Sequence, residues 1–515
     1  MSRNVFDLYL SLMYVRKKNN KSGIISIQVI DKNSGKYKVV KTIGSSANAL
    51  EVESLFGQGQ QWIKEQSGQI ALDIDGQKEL FNKFISSIQQ VTVVGTELLL
   101  GKLFDQIGFN QIKDDLFRKL VLARLCFPVS KVRTIDYLKK YHSIEIDHDR
   151  VYRYLDKLYN TQQEKVQKIS YEHTLKILNN QISIVFYDVT TLYFEIDDQD
   201  ELRKTGFSKD GRHQNPQIVL GLLVSVGGYP LAYEIFEGNK FEGHTMLPVI
   251  NAFKKKYDLK KLVVIADSGL LSNENITELQ RNGYEFILGA RIKNEKQPLQ
   301  KKILALKLKN GESAVLNKDQ QTRLVISYSL SRKKKDKANR EKGLHKLEKQ
   351  VKSGRLTKAN INNRGYNKYL KLEGEVKVTI DQNKFKADGR WDGLKGYLTN
   401  TTLSKDEIIE NYNHLWRIEK AFRVSKHDLK IRPIFHRLHR RIEAHVCIAF
   451  VAYKVFKELE RQLQIMEAGI SPEKAIEIAK TIYAIKIINP INKEHIDQTL
   501  ILNKEQKYLS KLFGF

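Results

Sequence analysis

The sequence predicts an α/β fold, and three observations carry that reading. "ISIVFYDVTTLYF" from Ile182 and "KLVVIA" from Lys261 are apolar, β-branched runs of the kind buried within a sheet. "QIVLGLLVSVGGYPLAYEIFEG" reads as two strands turning at Gly227 and Gly228. "HTMLPVINAFKKKY" and "SNENITELQRNG" carry helical periodicity, the second with a cap at Ser272 or Asn273 and a stop at Gly283, and "YEFILGARI" closes the series as a strand. The order is strand, hairpin, helix, buried strand, helix, strand. In open sheets with parallel strands, ligands gather at the strands' carboxyl ends. Asp267 stands at such an end, and Asp188 lies on the one earlier strand able to run parallel beside it. Two carboxylates on neighbouring strands can share a divalent ion.

Upstream of this core, "GIISIQVID" and "KYKVVKTIG" are joined by "KNSG", a hairpin signal with Gly35 for the turn. From Thr96 the pattern becomes helical, as in "TELLLGKLFDQIGF" and "LFRKLVLARLCF", and Pro128 breaks it. "SKVRTIDYLKKY" and "DRVYRYLDKLY" in this stretch are basic and rich in tyrosine, and the stretch is assigned to DNA binding. Downstream, "HVCIAFVAYKVF" from His445 has the length of a buried helix, well short of the roughly 20 apolar residues of a membrane span.

The charge balance points to the partner. Lys and Arg total 87 against 59 for Asp and Glu, a net +28, far more than solubility requires and suited to a polyanion such as DNA. "VFDLYLSLMYV" near the N-terminus is short and carries Asp7, so no signal peptide is expected. The two cysteines, Cys126 and Cys447, provide neither a disulfide framework nor a cysteine zinc site. A cytoplasmic, nucleoid-associated protein without a membrane partner is expected.

The order of elements is that of an RNase H-like fold, which takes a third carboxylate from a later helix. "TLSKDEIIENYNHLWRIEKAFRVSKHDLKIRPIFHRLHRRIEAHV" from Thr402 is read as that helix, starting near Lys405 because Ser404 and Glu407 have capping-box spacing. Tyr412, Glu419 and Lys426 recur every seven residues, which returns a regular helix to within roughly 20° of one face. The arrangement resembles the Y-x2-R-x3-E-x6-K signature of insertion-sequence DDE transposases. Leu415 stands where the signature has arginine, and Arg423, one turn beyond Glu419, is expected to supply the charge. The 79 residues from Asp188 to Asp267 fit a hairpin and one helix, whereas the 152 from Asp267 to Glu419 require an insertion.

The resemblance implies an RNase H-like catalytic core interrupted by a mostly β insertion, with an N-terminal β-hairpin region and a helical DNA-binding region. The expected boundaries are 1–95, 96–180, 181–294 for the first part of the core, 295–400 for the insertion with its lysine-rich run, 401–460 for the rest of the core and 461–515 for a C-terminal helical region. It implies a DNA transposase that cuts at the ends of its own element and joins the 3′ ends to target DNA. Asp188, Asp267 and Glu419 are the expected catalytic metal ligands for Mg²⁺ or Mn²⁺, as two ions. Tyr412, Arg423 and Lys426 are the expected DNA contacts, and a homodimer in a paired-end complex is implied. The alternatives are another RNase H-fold nuclease, such as a junction resolvase, and a non-catalytic DNA-binding descendant. Trp391 and Trp416 are read as core, with stacking on an unpaired base as the alternative. His436, His439 and His445 have no metal-ligand spacing and are read as structural or phosphate-side residues.

Overall fold

The computed structural model describes residues 13–32, 36–66, 81–208, 211–259, 261–270, 272–354, 356–362, 365–373, 377–489 and 492–515. The chain divides into two compact units, residues 1–90 with 485–498 and residues 91–484 with 499–515. In the first, β1 (Met13–Asn19), β2 (Ile25–Asp31) and β3 (Lys38–Ser46) form an antiparallel sheet in that order, and α1 (Ala49–Gln66) packs against it. The expected hairpin is β2 with β3, and its turn at Gly35 lies outside the described residues. The next strand along the chain is β4 (Ile88–Val93).

The second unit opens with helices α2 (Lys102–Ile107), α3 (Asp115–Cys126), α4 (Lys131–His142), α5 (His148–Lys157) and α6 (Gln163–Ile177). Each break has a local cause. Gly108 leaves α2 in the left-handed region at φ 103°, and Ser130, two residues past Pro128, caps α4 by accepting from the Arg133 N–H.

The sheet strands are β5 (Ile184–Tyr193), β6 (Gln217–Ser225), β7 (Pro230–Glu237), β8 (Val263–Ala266), β9 (Glu285–Ala290), β10 (Ser313–Asn317) and β11 (Arg323–Tyr328), with β14 (Leu394–Thr399) further on. They form one sheet in the order β10-β11-β14-β9-β8-β5-β6-β7. β5, β8 and β9 run parallel and every other pairing is antiparallel. The hairpin turn between β6 and β7 falls on Gly227 and Gly228, both at positive φ (95° and 79°), where a side chain would be strained. This is an RNase H-like α/β core, and three strands of the insertion extend its sheet on the β9 side.

Helices α7 (Met246–Tyr257) and α8 (Asn273–Arg281) cover one face, over Val185, Tyr187, Val264, Phe286 and Leu398. The strands expected in the insertion are joined by α9 (Gln297–Ala305) and the 23-residue α10 (Leu330–Lys352), into which the lysine-rich run folds. Lysine and glutamate favour helix, and i to i+4 pairs such as Lys337 with Glu341 at 3.8 Å support it. The small sheet of β12 (Leu370–Glu373) and β13 (Lys377–Ile380) and helix α11 (Gln382–Gly389) precede β14.

The other face, with Phe186, Ile265, Ile287 and Tyr397, packs under α12 (Lys405–Asn413), α13 (Trp416–Arg423) and α14 (His439–Ile465). Every residue from Ala444 to Glu460 is buried, because α14 lies between this layer and helices α3, α5 and α6. Its buried acids are paired, Glu460 with Lys457 and with Lys420 of α13, and Glu458 with Arg461 at 2.6 Å, while the buried Lys454 donates to the Thr174 hydroxyl. α14 continues through the expected boundary at 460. After α15 (Pro472–Ala479) come two strands where only helix was expected, β15 (Tyr483–Ile488) and β16 (His495–Leu500), and then α16 (Lys504–Phe513). "YAIKII" in β15 is rich in isoleucine, a side chain suited to strands. Among the described residues no helix is long and apolar enough to cross a membrane.

Candidate catalytic site

Sheet register places the two aspartates. Tyr187 on β5 pairs with Ala266 on β8, so the next residues on these parallel strands, Asp188 and Asp267, stand level on adjacent strands. Strand alternation turns Asp188 to the face of Phe186, the side covered by α12 and α13. The same row continues to Gly289, since Ala266 pairs with Leu288 on β9, and to Tyr397, which pairs with Gly289. Asp188 is half-buried, with its Oδ1 accepting from the Val189 N–H at 2.8 Å. The exposed Asp267 closes its strand and lines a cavity. Its carbonyl accepts the Leu270 N–H of the following turn at 3.1 Å, while Oδ1 accepts from the Tyr412 hydroxyl at 3.2 Å.

Gly289 makes room for that tyrosine: a Cβ there would lie 2.4 Å from the Tyr412 hydroxyl and 3.0 Å from the Ser268 nitrogen. Tyr412 also packs edge-on against Tyr397, with ring centres 4.9 Å apart. Burial, and then the negative charge of Asp267, raise the phenol far above its ordinary pKa. It therefore remains a donor to the aspartate throughout the physiological range.

The helix carrying Glu419 starts as expected. Ser404 and Glu407 form a capping box around the first turn of α12. It does not run on as one regular helix, which corrects the expectation of a single stripe. The N–H groups of Leu415, Arg417 and Ile418 bond three residues back, to Tyr412, His414 and Leu415 at 3.0, 2.9 and 3.1 Å, and the chain turns between α12 and α13. A wide turn, Val424–Asp428, follows, closed by the Leu429 N–H on the Val424 carbonyl at 2.9 Å. Tight turns overwind a helix and wide turns underwind it, so a seven-residue spacing no longer fixes the face. Tyr412, Leu415 and Glu419 all line the cavity of about 360 Å³ that holds Asp267. The half-buried Lys426 on the wide turn and the exposed Arg423 are not among its lining residues. Arg417 turns to the other side, with its side chain beside Gly227 and Gly228.

The cations that do line this cavity are Lys395 on β14 and Arg332 in the first turn of α10, neither singled out from the sequence. Lys395 Nζ sits 4.4 Å from the Tyr412 ring centre and 5.2 Å from that of Tyr397. Burial and the Arg332 charge lower its pKa, while Asp267 and Glu419 oppose them. The sequence signal available was a lone lysine in the strand "LKGYLT" just before the capping box. Trp416, 53% exposed, lies at the same cavity, whereas Trp391 is core, packed with Ile292 and Ile303.

Among the described residues no three His, Cys, Asp or Glu side chains stand close enough to hold a metal ion. The donors nonetheless fit a hard divalent cation: Asp188 and Asp267 are adjacent oxygen donors in register, and Glu419 shares Asp267's cavity.

Residues 179–454 match the family model described as the transposase DDE domain. Among solved structures, a piggyBac transposase synaptic complex with hairpin DNA aligns over 78% of this chain and 79% of that one, at 8% identity and TM-score 0.38. A Mos1 transposase paired-end complex with left transposon end aligns over 45% of this chain and 71% of that one, at 13% identity and TM-score 0.16. Both likenesses are distant, and the assignment rests on the family match. No curated protein matches the chain.

Proposed function

Because the chain belongs to the transposase DDE-domain family and is a DNA transposase, an enzyme class that uses divalent metal ions, we propose that Asp188, Asp267 and Glu419 are its catalytic ligands. The observation that carries this is the register that sets Asp188 and Asp267 side by side, with Glu419 in the cavity of the second. The substrate is double-stranded DNA at the ends of the protein's own element, and the released 3′ ends are joined to target DNA. The enzyme works as a homodimer in a paired-end complex in a prokaryotic cytoplasm, on the nucleoid.

In-line displacement at phosphorus needs an aligned attacking oxygen and stabilisation of charge on the leaving 3′-oxygen. Two Mg²⁺ or Mn²⁺ ions, when bound, supply both. The chain's own groups do the rest. The Tyr412 hydroxyl holds the Asp267 carboxylate in place, and Lys395 and Arg332 bring positive charge to the phosphate's non-bridging oxygens. Arg423 and Lys426 hold the DNA further along, and Trp416 offers a face on which an unpaired base can stack.

The test is nicking of end DNA with Mg²⁺ by the intact protein. Asp188→Asn, Asp267→Asn or Glu419→Gln should each lower the rate by about 10²–10³-fold or more, the scale of losing a principal transition-state contact. DNA affinity should stay near the parent's, since it resides in the wider basic surface. Parent-like cleavage by any of the three variants would remove that residue from the ligand set.

A further inference from the structure

A second cavity, of about 680 Å³, opens where the end of α3, the start of α4, the 430–436 segment and α14 meet. Five of its lining residues are cationic, Arg124, Lys131, Arg133, Lys430 and Arg432, and none is acidic. Arg124 and Lys131 are each 4% exposed. Among the described residues neither has a carboxylate partner. Arg124 makes only two long bonds, 3.5 Å each, to the carbonyls of Leu429 and Lys430, and the Lys131 ammonium makes none. His445, also in the lining, bonds the Ile431 carbonyl through Nε2 at 2.9 Å, and its buried Nδ1 has no partner among the described residues.

A buried cation without a counter-charge is costly. Burial pushes Arg124 down to about 10, and burial together with the Arg124 charge pushes Lys131 well below its ordinary range. No acid offsets either shift. The N-terminus of the 12-residue α4, with Ser130 and Lys131 in the cavity wall, adds its partial positive charge. Each of these terms favours an anion.

We propose that this cavity is a second phosphate site, one that takes a backbone phosphate of the DNA being cut, with Phe435 at its rim against the adjoining sugar or base. Phe435 is 61% exposed. The 430–436 segment is tied to the end of β5 through the Ile434 N–H on the Tyr193 carbonyl at 3.3 Å. Tyr193 is five residues beyond Asp188 along the strand, which is about 17 Å and roughly five nucleotides of rise on one DNA strand. The choice of a DNA phosphate rests on the function proposed above; the cavity's need for an anion does not.

The experiment uses the full chain and Lys131→Met, which removes an unpaired buried charge and should fold. Inorganic phosphate should raise the thermal midpoint of the parent above that in chloride of equal ionic strength, and should not do so for Lys131→Met. Affinity for a short duplex, followed by anisotropy across a salt series, should have a log–log slope smaller by about 1 in the variant. No phosphate effect on the parent, which needs no variant, overturns the site. A phosphate effect lost in Lys131→Met with an unchanged DNA slope assigns the cavity to free phosphate and overturns the DNA role. Failure of the parent to bind DNA would overturn the proposed function and the DNA role with it, while the phosphate arm still decides whether the cavity takes an anion.

Discussion

The cavity at Asp267 and the cavity at Lys131 lie in the same compact unit and are lined by the same kinds of cation, yet their charges are settled differently. Lys395 lies within the fields of two carboxylates, Asp267 and Glu419, that oppose its loss of charge. Lys131 has none, and its strongest electrostatic neighbour is another cation. A wall balanced by acids would suit a divalent ion and the phosphate beside it, while a wall of cations alone can only hold an anion. The first arrangement suits chemistry and the second suits positioning.

The largest effect that bears on this contrast belongs to Lys395→Met. If Lys395 contacts the scissile phosphate, cleavage should fall by about ten- to hundredfold, the scale of one charge-assisted contact of roughly 1.5–3 kcal/mol. Arg423→Met, outside the cavity, should cost less. Single-turnover cleavage of both variants decides it, and equal losses would erase the distinction between the cavity wall and its surroundings. Next comes Tyr412→Phe, which removes the hydroxyl that holds Asp267 at 3.2 Å. A hydrogen bond to a charged group is worth roughly 1.5–3 kcal/mol, and because this one acts on the phosphate only through Asp267 the loss should lie at the lower end, about tenfold in rate, with little change in DNA affinity. A parent-like rate would mean that Asp267 needs no orienting partner.

The smallest effect sharpens the other side. Burial, then Lys131 and Arg124, lower His436 to about 3. Tyr152 and His445 also pack against its ring, with centres at 6.2 and 5.5 Å, and Arg441 adds its charge. The unfolded chain's histidine binds a proton below about pH 6.5, whereas the folded one stays neutral until about pH 3. Between those values the unfolded state holds more protons, so stability falls as pH falls through that window. His436→Phe should lose fewer degrees of thermal midpoint than the parent between pH 7 and pH 5. Identical losses would show that His436 is not held neutral by burial and its cationic neighbours.

What the sequence made legible follows from local rules. The apolar run ending on Asp267, the strand holding Asp188 and the Ser404–Glu407 box each sit where a few neighbouring residues decide the outcome. The stripe was only partly legible because it assumed a constant turn per residue, and the bonds at Leu415 to Ile418 and the wide turn after Arg423 break that constancy. Lys395 was not legible because its place depends on β14 pairing with β9, and Tyr397 meets Gly289 across more than a hundred residues of chain. The cation pocket is illegible in the sequence for the same reason: Arg124 and His445 meet only when α14 packs on α3.

That packing also sets a timetable for synthesis. The apolar sides of α3, α5 and α6 are covered by a helix that ends at Ile465, so the N-terminal helices cannot complete their core until the catalytic half has been made. At about 5–20 residues per second, roughly 17–70 s pass between the ribosome's release of α3 and of its cover. During that interval apolar surface waits uncovered, a demand on chaperones that a self-contained DNA-binding head would not make. A message cut short before α14 would leave both layers that this helix covers without that packing.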